Sequence, residues 1–489
     1  RAHVGRHLGA GDFVDLRTQL CAAESKAPKG VLNAVMDVVL DQNGRSVFQL
    51  ALTLNSGVCY GAQPTGLPPF SPSVDLPPPP NSDDEDENEA DDEAEKAAKV
   101  PLALAHVKGN IGKEVEIMLN QVRKKLIPQL IGNEPTDQAK WDAVLDASCQ
   151  DIAAATPELE AVKRAIMRAC SIAICRAGAA LRKVPLYRHI ADLAKRSDDI
   201  FLPVPAVSVL TGGTFTKAEG NRGPMNELYA LPVGAESYRE ALSLGRRVHA
   251  RVQEILMDRA PRLNNRGSFD ANFESLEDGL DVVHKAIMTS GCGDKVKIGL
   301  MMSASRFFSL PSAVELEDFP EDDIPGTYDL ETDDGKLTTV QITQMYNSLM
   351  QTYPLVMIED PFDCFPDPSG KLRSWIRYVE EMGRKVHIVG NGLIGTDPIK
   401  VVKVGDAKAC NGATIHWQDF PNVSEAITFV GRLQEQYWGL VLEDDQCSIG
   451  ETFTADFAVG AQIGNFRAGG LKGRSNILWV LSYVYRFVK

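Results

Sequence analysis

The stretch Leu355-Val-Met-Ile-Glu-Asp-Pro-Phe362 indicates the fold of this 489-residue chain more directly than any other part of it. Its four apolar residues are followed by two acids and a proline, the pattern of a strand that is buried on both faces and ends in a polar loop. Further runs of this kind lie at Lys295–Gly299, Val386–Val389, Ala413–His416, Gly439–Leu442 and Ala461–Gly464. Helical patterns separate them, as at Ile342–Thr352, Leu372–Met382 and Val423–Gln436. Six such units in about 200 residues favour a closed α/β barrel over 199–489, with an open doubly wound sheet as the alternative.

The region before the barrel predicts a smaller α+β domain, residues 31–198, preceded by an N-terminal extension, residues 1–30. Strand-like runs at Val35–Leu40 and Ser46–Thr53 are separated by a turn signal, Asp41-Gln-Asn-Gly44. Further on, Val115–Val122 and Ala161–Cys175 carry apolar residues at helical spacing. A hairpin followed by helices is typical of the α+β class.

A Pro-rich and acidic stretch interrupts this smaller domain. Prolines are frequent from Pro64 to Pro80, and ten of the thirteen residues from Asp83 to Glu95 are acidic. Such a segment buries too little apolar surface to offset its ordering entropy, so 68–97 is predicted to be a disordered, solvated insertion. The alternative is an acidic docking tail for a basic partner. The net charge is -15, and without these ten acids it is -5, so the acidity is local.

Composition excludes several classes of protein. No basic stripe indicates nucleic-acid binding, and no apolar run approaches the ~20 residues that a bilayer requires. The nine cysteines are scattered without C-x-x-C pairs, which predicts reduced thiols in a cytosolic protein and gives no reason to expect zinc. The first residues contain no apolar core of a signal peptide, and because they begin with Arg1 the true start is expected upstream.

The residues that end the predicted barrel strands are candidates for a site. Active sites of such barrels gather at the C-terminal ends of the strands. The residues concerned are Met301, Glu359, Asn391, His416, Asp444 and Arg467. A single polar residue at a strand end is more often a loop contact, but six on one rim predict a pocket. Glu359 is the strongest candidate, because a carboxylate there is a natural Mg2+ ligand.

The chain resembles the enolase family over about 31–60 and 100–480. The resemblance rests on segments that occur in the family's order: Val184–Ala194, Leu202–Ala206, Thr211–Gly213, Met225–Ala235, Ile358–Phe362 and Thr452–Asp456. It implies an enolase-like (β/α)8 barrel whose first part is atypical, preceded by an α+β capping domain. It also implies a dimer and the Mg2+-dependent interconversion of 2-phosphoglycerate and phosphoenolpyruvate, a lyase step of glycolysis. Enolases usually extend further at the C-terminus, so a tail is expected beyond Lys489.

The metal positions that the resemblance implies are mostly replaced. Of the three carboxylates that hold the first Mg2+ in enolases, only Glu359 is kept, and the other two fall on Met301 and Asn391. The lid-loop serine that serves the second ion falls near Pro68. One carboxylate and one amide compensate poorly for the hydration shell that a hard dication loses when it binds. Mg2+ is therefore expected from the family, with its binding to this chain in doubt.

The catalytic and substrate positions implied by the resemblance diverge as well. The lysine base falls on His416, whose residue type can also abstract a proton near neutrality. One glutamate of the catalytic dyad is kept as Glu227, and its partner falls on Arg266. The last lysine falls on Arg467, which with Glu227 and Glu359 would contact substrate. The rim that grips phosphate falls on Asp444, Asp445 and Gln446, and the mobile-loop histidine falls on Phe215.

Three functions follow from these replacements. The favoured hypothesis is a divergent, weak or inactive enolase that persists as a structural or scaffold subunit. The alternatives are an active phosphopyruvate hydratase with His416 as its base, and a re-purposed barrel whose new acidic site includes Glu443, Asp444 and Asp445. The insertion and the lost lysine most resemble the divergent sperm-type vertebrate enolases. That resemblance implies a cytoplasmic or flagellar setting, and a homodimer or hetero-assembly with cytoskeletal proteins.

Overall fold

A computed structural model describes most of the chain. The described residues are 30–40, 46–64, 113–150, 156–196, 200–212, 225–264, 266–271, 273, 275–310, 324–330, 335–365, 372–444 and 452–470. The predicted insertion at 68–97 therefore lies outside them. The chain divides into two compact units between Leu186 and Tyr187.

The first unit is a three-stranded antiparallel sheet with helices. The strands, in the order β1-β2-β3, are β1 Asn33–Leu40, β2 Ser46–Leu54 and β3 Gly57–Pro64. The helices are α1 Lys113–Lys125, α2 Ile127–Leu130, α3 Gln138–Cys149 and α4 Pro157–Arg182. Alternate strand residues such as Met36 and Leu50 enter the core, as the period of two requires. The predicted hairpin and both predicted helices are present.

Local interactions and backbone conformation determine where helix α4 begins and ends. Thr156 caps its start by accepting from the Leu159 amide, and Lys183 ends it in the left-handed conformation at φ 54°. Its middle packs against β3 so closely that a Cβ on Gly61 would lie 2.2 Å from the carbonyl oxygen of Ala169. Strand β3 was not predicted, because glycines weaken a strand pattern.

The second unit begins within helix α5 (Leu186–Leu193), at Tyr187, and contains a barrel. Its strands are β4 Val204–Thr211, β5 Glu227–Leu231, β6 Arg262–Leu263, β7 Phe269–Asp270, β8 Lys297–Met301, β9 Phe308–Ser309, β10 Thr327–Asp329, β11 Lys336–Thr338, β12 Leu355–Glu359, β13 His387–Gly390, β14 Gly412–His416, β15 Gly439–Glu443 and β16 Asn465–Arg467. The longer helices are α6 Tyr238–Ile255, α7 Leu276–Thr289, α8 Thr339–Thr352, α9 Arg373–Met382, α10 Pro398–Asp406, α11 Val423–Glu435 and α12 Phe453–Gly460.

Eight strands of the described part of the chain close the barrel, which confirms the predicted closed form. Their order around it is β4-β5-β8-β12-β13-β14-β15-β16, and the pairing of β16 with β4 completes the circle. Strand β5 runs antiparallel to both neighbours, and the other pairs are parallel. The first part of the barrel is therefore atypical, as the resemblance implied.

One predicted strand is displaced along the sequence. The run Ala461–Gly464 is a turn rather than a strand, and β16 begins at Asn465. Gln462 adopts a left-handed conformation at φ 56°, which reverses the chain after α12. The run is apolar because Ala461 and Ile463 are buried beneath that turn. No helix within the described ranges is both long and apolar enough to span a bilayer.

Candidate functional site

The barrel strands bring most of the predicted site residues to one end of the barrel. Met301 is the direct partner of Glu227 on β5 and of Glu359 on β12. On the opposite side, Glu443 is paired in register with His416 on β14 and with the last residue of β16. These residues therefore share one level near the strand ends, where a barrel's chemistry is expected.

Arg467 lies at the centre of this level and is fully buried. Its Nη1 donates to Glu359 Oε2 at 2.6 Å and its Nη2 to Glu359 Oε1 at 3.1 Å, so the pair is bidentate. Nη2 also donates to Glu443. Burial by itself lowers the pKa of the Arg467 guanidinium, but the carboxylates of Glu359 and Glu443 outweigh it and hold that pKa well above its ordinary value.

Asn391 and His416 extend the network from Glu359. Asn391 Nδ2 donates to Glu359 Oε1 at 2.9 Å, and its Oδ1 lies 2.9 Å from His416 Nε2. An ionised carboxylate only accepts, so the amide nitrogen must face Glu359 and its oxygen must face the histidine. His416 then carries a proton on Nε2, and its Nδ1 lies 3.9 Å from Glu443 Oε2. The nitrogen that faces Asn391 is a donor there, not a base.

A second arginine continues the network on the other side. Arg266 Nη2 donates to Glu443, and its Nη1 lies 3.8 Å from Glu227 Oε2. Glu227 also accepts hydrogen bonds from the hydroxyls of Ser208 and Tyr229. Burial raises the pKa of Tyr229 well above its usual value, which keeps this hydroxyl protonated as a donor.

Met301 places a thioether where the resemblance implied a metal carboxylate. Its side chain belongs to an apolar layer of the barrel interior that also contains Tyr229 and Met357. Its sulfur lies 3.5 Å from the Tyr229 hydroxyl and 3.6 Å from Asn226 Nδ2. A thioether is a soft ligand and is poorly suited to a hard cation such as Mg2+.

The acid that follows the retained glutamate is held by backbone amides. Asp360 has a left-handed φ of 45°, and its carboxylate accepts from the amides of Asn391 and Gly392 at 2.8 and 2.9 Å. Burial and then the charge of Glu359 raise its pKa to about 6, against the lowering effect of those two amides. Asp360 therefore fixes the loop that carries Asn391.

The predicted phosphate rim is only partly visible. Asp444 is buried, and its Oδ2 accepts from Thr454 Oγ1 at 2.6 Å in the first turn of α12. Its backbone amide donates to the carbonyl of Arg467. The carboxylate thus binds the start of a helix. Asp445, Gln446, Phe215 and Pro68 lie outside the described residues.

The described residues at this end of the barrel do not fit a magnesium ion. The retained carboxylate, Glu359, is engaged by Arg467 and Asn391, and Met301 offers no oxygen. Among the described residues, no group of three or more histidine, cysteine, aspartate or glutamate side chains is arranged to hold a metal. The arrangement is a buried network of ion pairs and hydrogen bonds in which Arg467 and Arg266 each lie beside two glutamates.

Sequence reasoning missed part of this network. Ser208 and Tyr229 were not predicted as site residues, because they lie inside strands rather than at strand ends. Glu443 was noted only as one of three consecutive acids, without its arginine partners. The signal was available in the order of the strands, because Glu443 and Arg467 end neighbouring parallel strands and such residues lie side by side.

The closed barrel with one antiparallel strand and a polar layer at its strand ends defines the class as an α/β barrel of TIM type. Residues 199–486 match the family described as "Enolase, C-terminal TIM barrel domain". The enolase of Solanum lycopersicum is 33% identical over 367 residues, which are 73% of this chain and 78% of that enolase. Enolase 2 of Hevea brasiliensis is 32% identical, with the same coverage of both chains. The chain belongs to the enolase family.

Proposed function

We propose that this chain is a divergent enolase that does not interconvert 2-phosphoglycerate and phosphoenolpyruvate at a useful rate and serves as a structural or scaffold subunit. The observation that carries the proposal is the bidentate pair between the buried guanidinium of Arg467 and Glu359. It engages the one carboxylate that is retained at the family's metal positions.

The chemistry of the reaction supports this proposal. The proton alpha to a carboxylate is very weakly acidic, so its removal requires cations beside the developing enolate. The remaining candidate base, His416, presents a protonated Nε2 to Asn391, and the described cations at this level, Arg467 and Arg266, are engaged by glutamates of the chain itself. Glu227 is engaged by Ser208 and Tyr229. A base accelerates this reaction very little when no cation stabilises the carbanion that it forms.

We further propose that the chain is one of the sperm-type enolases, which is a narrower assignment than membership of the enolase family. The supporting features are the Pro-rich and acidic stretch and the histidine at the base position. We propose a cytoplasmic or flagellar location, and a homodimer or hetero-assembly with cytoskeletal proteins. Immunolocalisation in sperm tests the location, and a signal confined to the nucleus or to an organelle would contradict it. Cross-linking of intact sperm tests the assembly, and a chain that stays monomeric without cross-links would contradict that part.

Turnover is the decisive test. Purified protein with excess Mg2+ and 2-phosphoglycerate is followed by the absorbance of phosphoenolpyruvate, with the Solanum lycopersicum enolase as the positive control. We expect no turnover above the reagent blank. Turnover that disappears in His416→Ala would overturn the proposal and establish an active hydratase with that base.

A restoring variant tests the alignment on which the proposal depends. Met301→Asp, Asn391→Asp and His416→Lys together return the residue types that the resemblance implies. We expect tighter Mg2+ binding by calorimetric titration than in the unmodified chain, because two carboxylates are added beside Glu359. Equal affinity in both proteins would count against the assignment of these strand ends.

A further inference from the structure

We propose that Arg467, with Arg266 beside it, is a built-in counter-ion that replaces divalent cations in the barrel, so that the stability of this fold is independent of metal. This inference rests on the proposed function, since it explains why the metal positions could change without loss of the barrel. It concerns what holds the carboxylates together rather than whether the protein catalyses a reaction.

The charges alternate along a single chain of side chains. The order is Glu227, Arg266, Glu443, Arg467 and Glu359, so each arginine lies between two glutamates. Four of these five side chains are almost or fully inaccessible to solvent, and that of Arg266 is 11% exposed. Carboxylates at such depth require compensating positive charge, because an uncompensated buried charge is strongly destabilising.

Polar groups also satisfy the two ends of this alternating chain. Glu227 accepts from the hydroxyls of Ser208 and Tyr229, and Glu359 accepts from the amide of Asn391. The guanidinium of Arg467 lies over the ring of Tyr229, with 4.9 Å between its Cζ and the ring centroid. The central guanidinium therefore has carboxylates in its plane and an aromatic face above it, which are the surroundings that suit arginine.

Geometry explains why arginine rather than lysine occupies this position. Arg467 uses two nitrogens to reach both Glu359 oxygens and still donates to Glu443. A planar fork can hold two carboxylates at once, whereas an ammonium is a compact point charge. A divalent ion could bind Glu359 and Glu443 only by displacing this fork. Removing the fork should therefore expose a latent site for a divalent cation.

The test compares thermal unfolding of the full chain and of Arg467→Met, each with EDTA, with Mg2+ and with Mn2+. The unmodified protein should change its Tm by less than about 1 °C in roughly 10 mM metal, because Arg467 and Arg266 already occupy the glutamates of the network. Arg467→Met should unfold about 5–10 °C lower in EDTA, because two buried carboxylates lose their shared cation. Either metal should then restore about half of that loss or more.

Three further variants separate this role from ordinary packing. Arg251→Met removes an exposed arginine by the same substitution and should gain no response to metal. Arg467→Lys keeps the charge and should show a smaller loss of Tm and little metal rescue. Arg467→Met combined with Glu359→Gln removes one uncompensated carboxylate, so it should fold at least as well as Arg467→Met alone and lose the rescue.

Two results would overturn the inference. One is a rise of several degrees in the Tm of the unmodified protein on adding Mg2+, which is lost in Glu359→Gln. The other is a folded Arg467→Met that no divalent ion stabilises. If Arg467→Met does not fold, the first result and the double variant still decide the matter. Turnover of 2-phosphoglycerate would contradict the proposed function alone. Metal-dependent stability of the unmodified protein without turnover would contradict this inference alone.

Discussion

At the scale of single residues, Glu359 has a different role here from the metal ligand that its position in the family suggests. It accepts two hydrogen bonds from Arg467 and one from Asn391, and no part of its side chain reaches solvent. It therefore acts as the anion of a buried pair. Its retention among replaced neighbours is explained by that pair and does not by itself indicate catalysis.

Glu359→Gln should consequently destabilise the protein strongly. The amide that replaces the carboxylate leaves the buried Arg467 with Glu443 as its remaining anion, so we expect a loss of about 3 kcal/mol in the free energy of unfolding. Urea denaturation followed by circular dichroism measures it. The matched control is Glu254→Gln, in the exposed Arg251–Glu254 pair, which should cost less than about 0.5 kcal/mol. Equal effects in the two variants would contradict the buried ion-pair network.

Asp360 predicts a pH dependence of stability at the same scale. Its pKa is raised from 3.8 to about 6, chiefly by burial, so between these values the folded chain holds a proton that the unfolded chain has lost. The stabilisation from this group is complete below about pH 4 and is lost as the pH rises through about 6. Asp360→Asn stays neutral throughout. The stability of the unmodified protein relative to this variant should therefore fall by up to about 3 kcal/mol between pH 4 and pH 7.

The measurement is urea denaturation of both proteins at matched pH values. Taking the difference between them cancels the other titrating groups, which the two proteins share. A difference that stays constant, or that grows with pH, would show that the Asp360 carboxylate is not held in its protonated form in the folded chain.

At the scale of elements, close packing between β3 and α4 leaves no room for a side chain at Gly61. A Cβ there would lie 2.2 Å from the carbonyl oxygen of Ala169 and 2.6 Å from the amide nitrogen of Ala173. Gly61→Ala should therefore force the strand and helix apart, at a cost of about 1–3 kcal/mol. Thermal and urea unfolding would measure the loss.

The same substitution at another glycine provides a control of opposite sign. Gly431 lies inside α11, and a Cβ at that position would meet no atom within 4 Å. Gly431→Ala should stabilise the protein by about 0.5–1 kcal/mol, because it lowers the conformational entropy of the unfolded chain. Destabilisation by Gly431→Ala, or a neutral Gly61→Ala, would contradict the packing described for these elements.

Much of the fold could be predicted at this scale because the signals are local. The apolar run Leu355–Ile358 and the helix pattern Ile342–Thr352 each lie within the observed element. The antiparallel direction of β5 could not be derived from periodicity, because Glu227–Leu231 is buried along its whole length like the parallel strands. The strand predicted at Ala461–Gly464 was wrong because burial beneath a turn produces the same apolar letters as burial in a sheet.

The site was less predictable than the fold, because its meaning depends on pairs that are distant in sequence. Met301, Asn391 and His416 could be placed at strand ends, and the loss of metal carboxylates followed from the resemblance. The position of Arg467 between Glu359 and Glu443 could be recognised only in the folded structure, because Arg467 and Glu359 are 108 residues apart in the sequence. The positive charge preserved at Arg467 was predicted to contact substrate, whereas in the folded chain it compensates carboxylates of the protein itself.

At the scale of the whole molecule, the charge balance of the five described residues in this alternating chain predicts that they do not attract a phosphorylated acid. The alternating chain contains three glutamates and two arginines, and both arginines already serve those glutamates. A bound 2-phosphoglycerate would have to break these pairs to use either of the two arginines. We therefore expect no saturable stabilisation of this protein by 2-phosphoglycerate, with or without Mg2+.

Scanning calorimetry over a range of ligand concentrations tests this expectation directly. A ligand at 100 times its dissociation constant stabilises a protein by about 2.7 kcal/mol, so millimolar binding would be visible as a rising Tm. The Solanum lycopersicum enolase should show such a rise in Mg2+ and this chain should not, although both are enolases by family. A saturating rise here would mean that the arginines are free to serve a ligand, and the buried ion-pair network would then be only one of two states of the barrel.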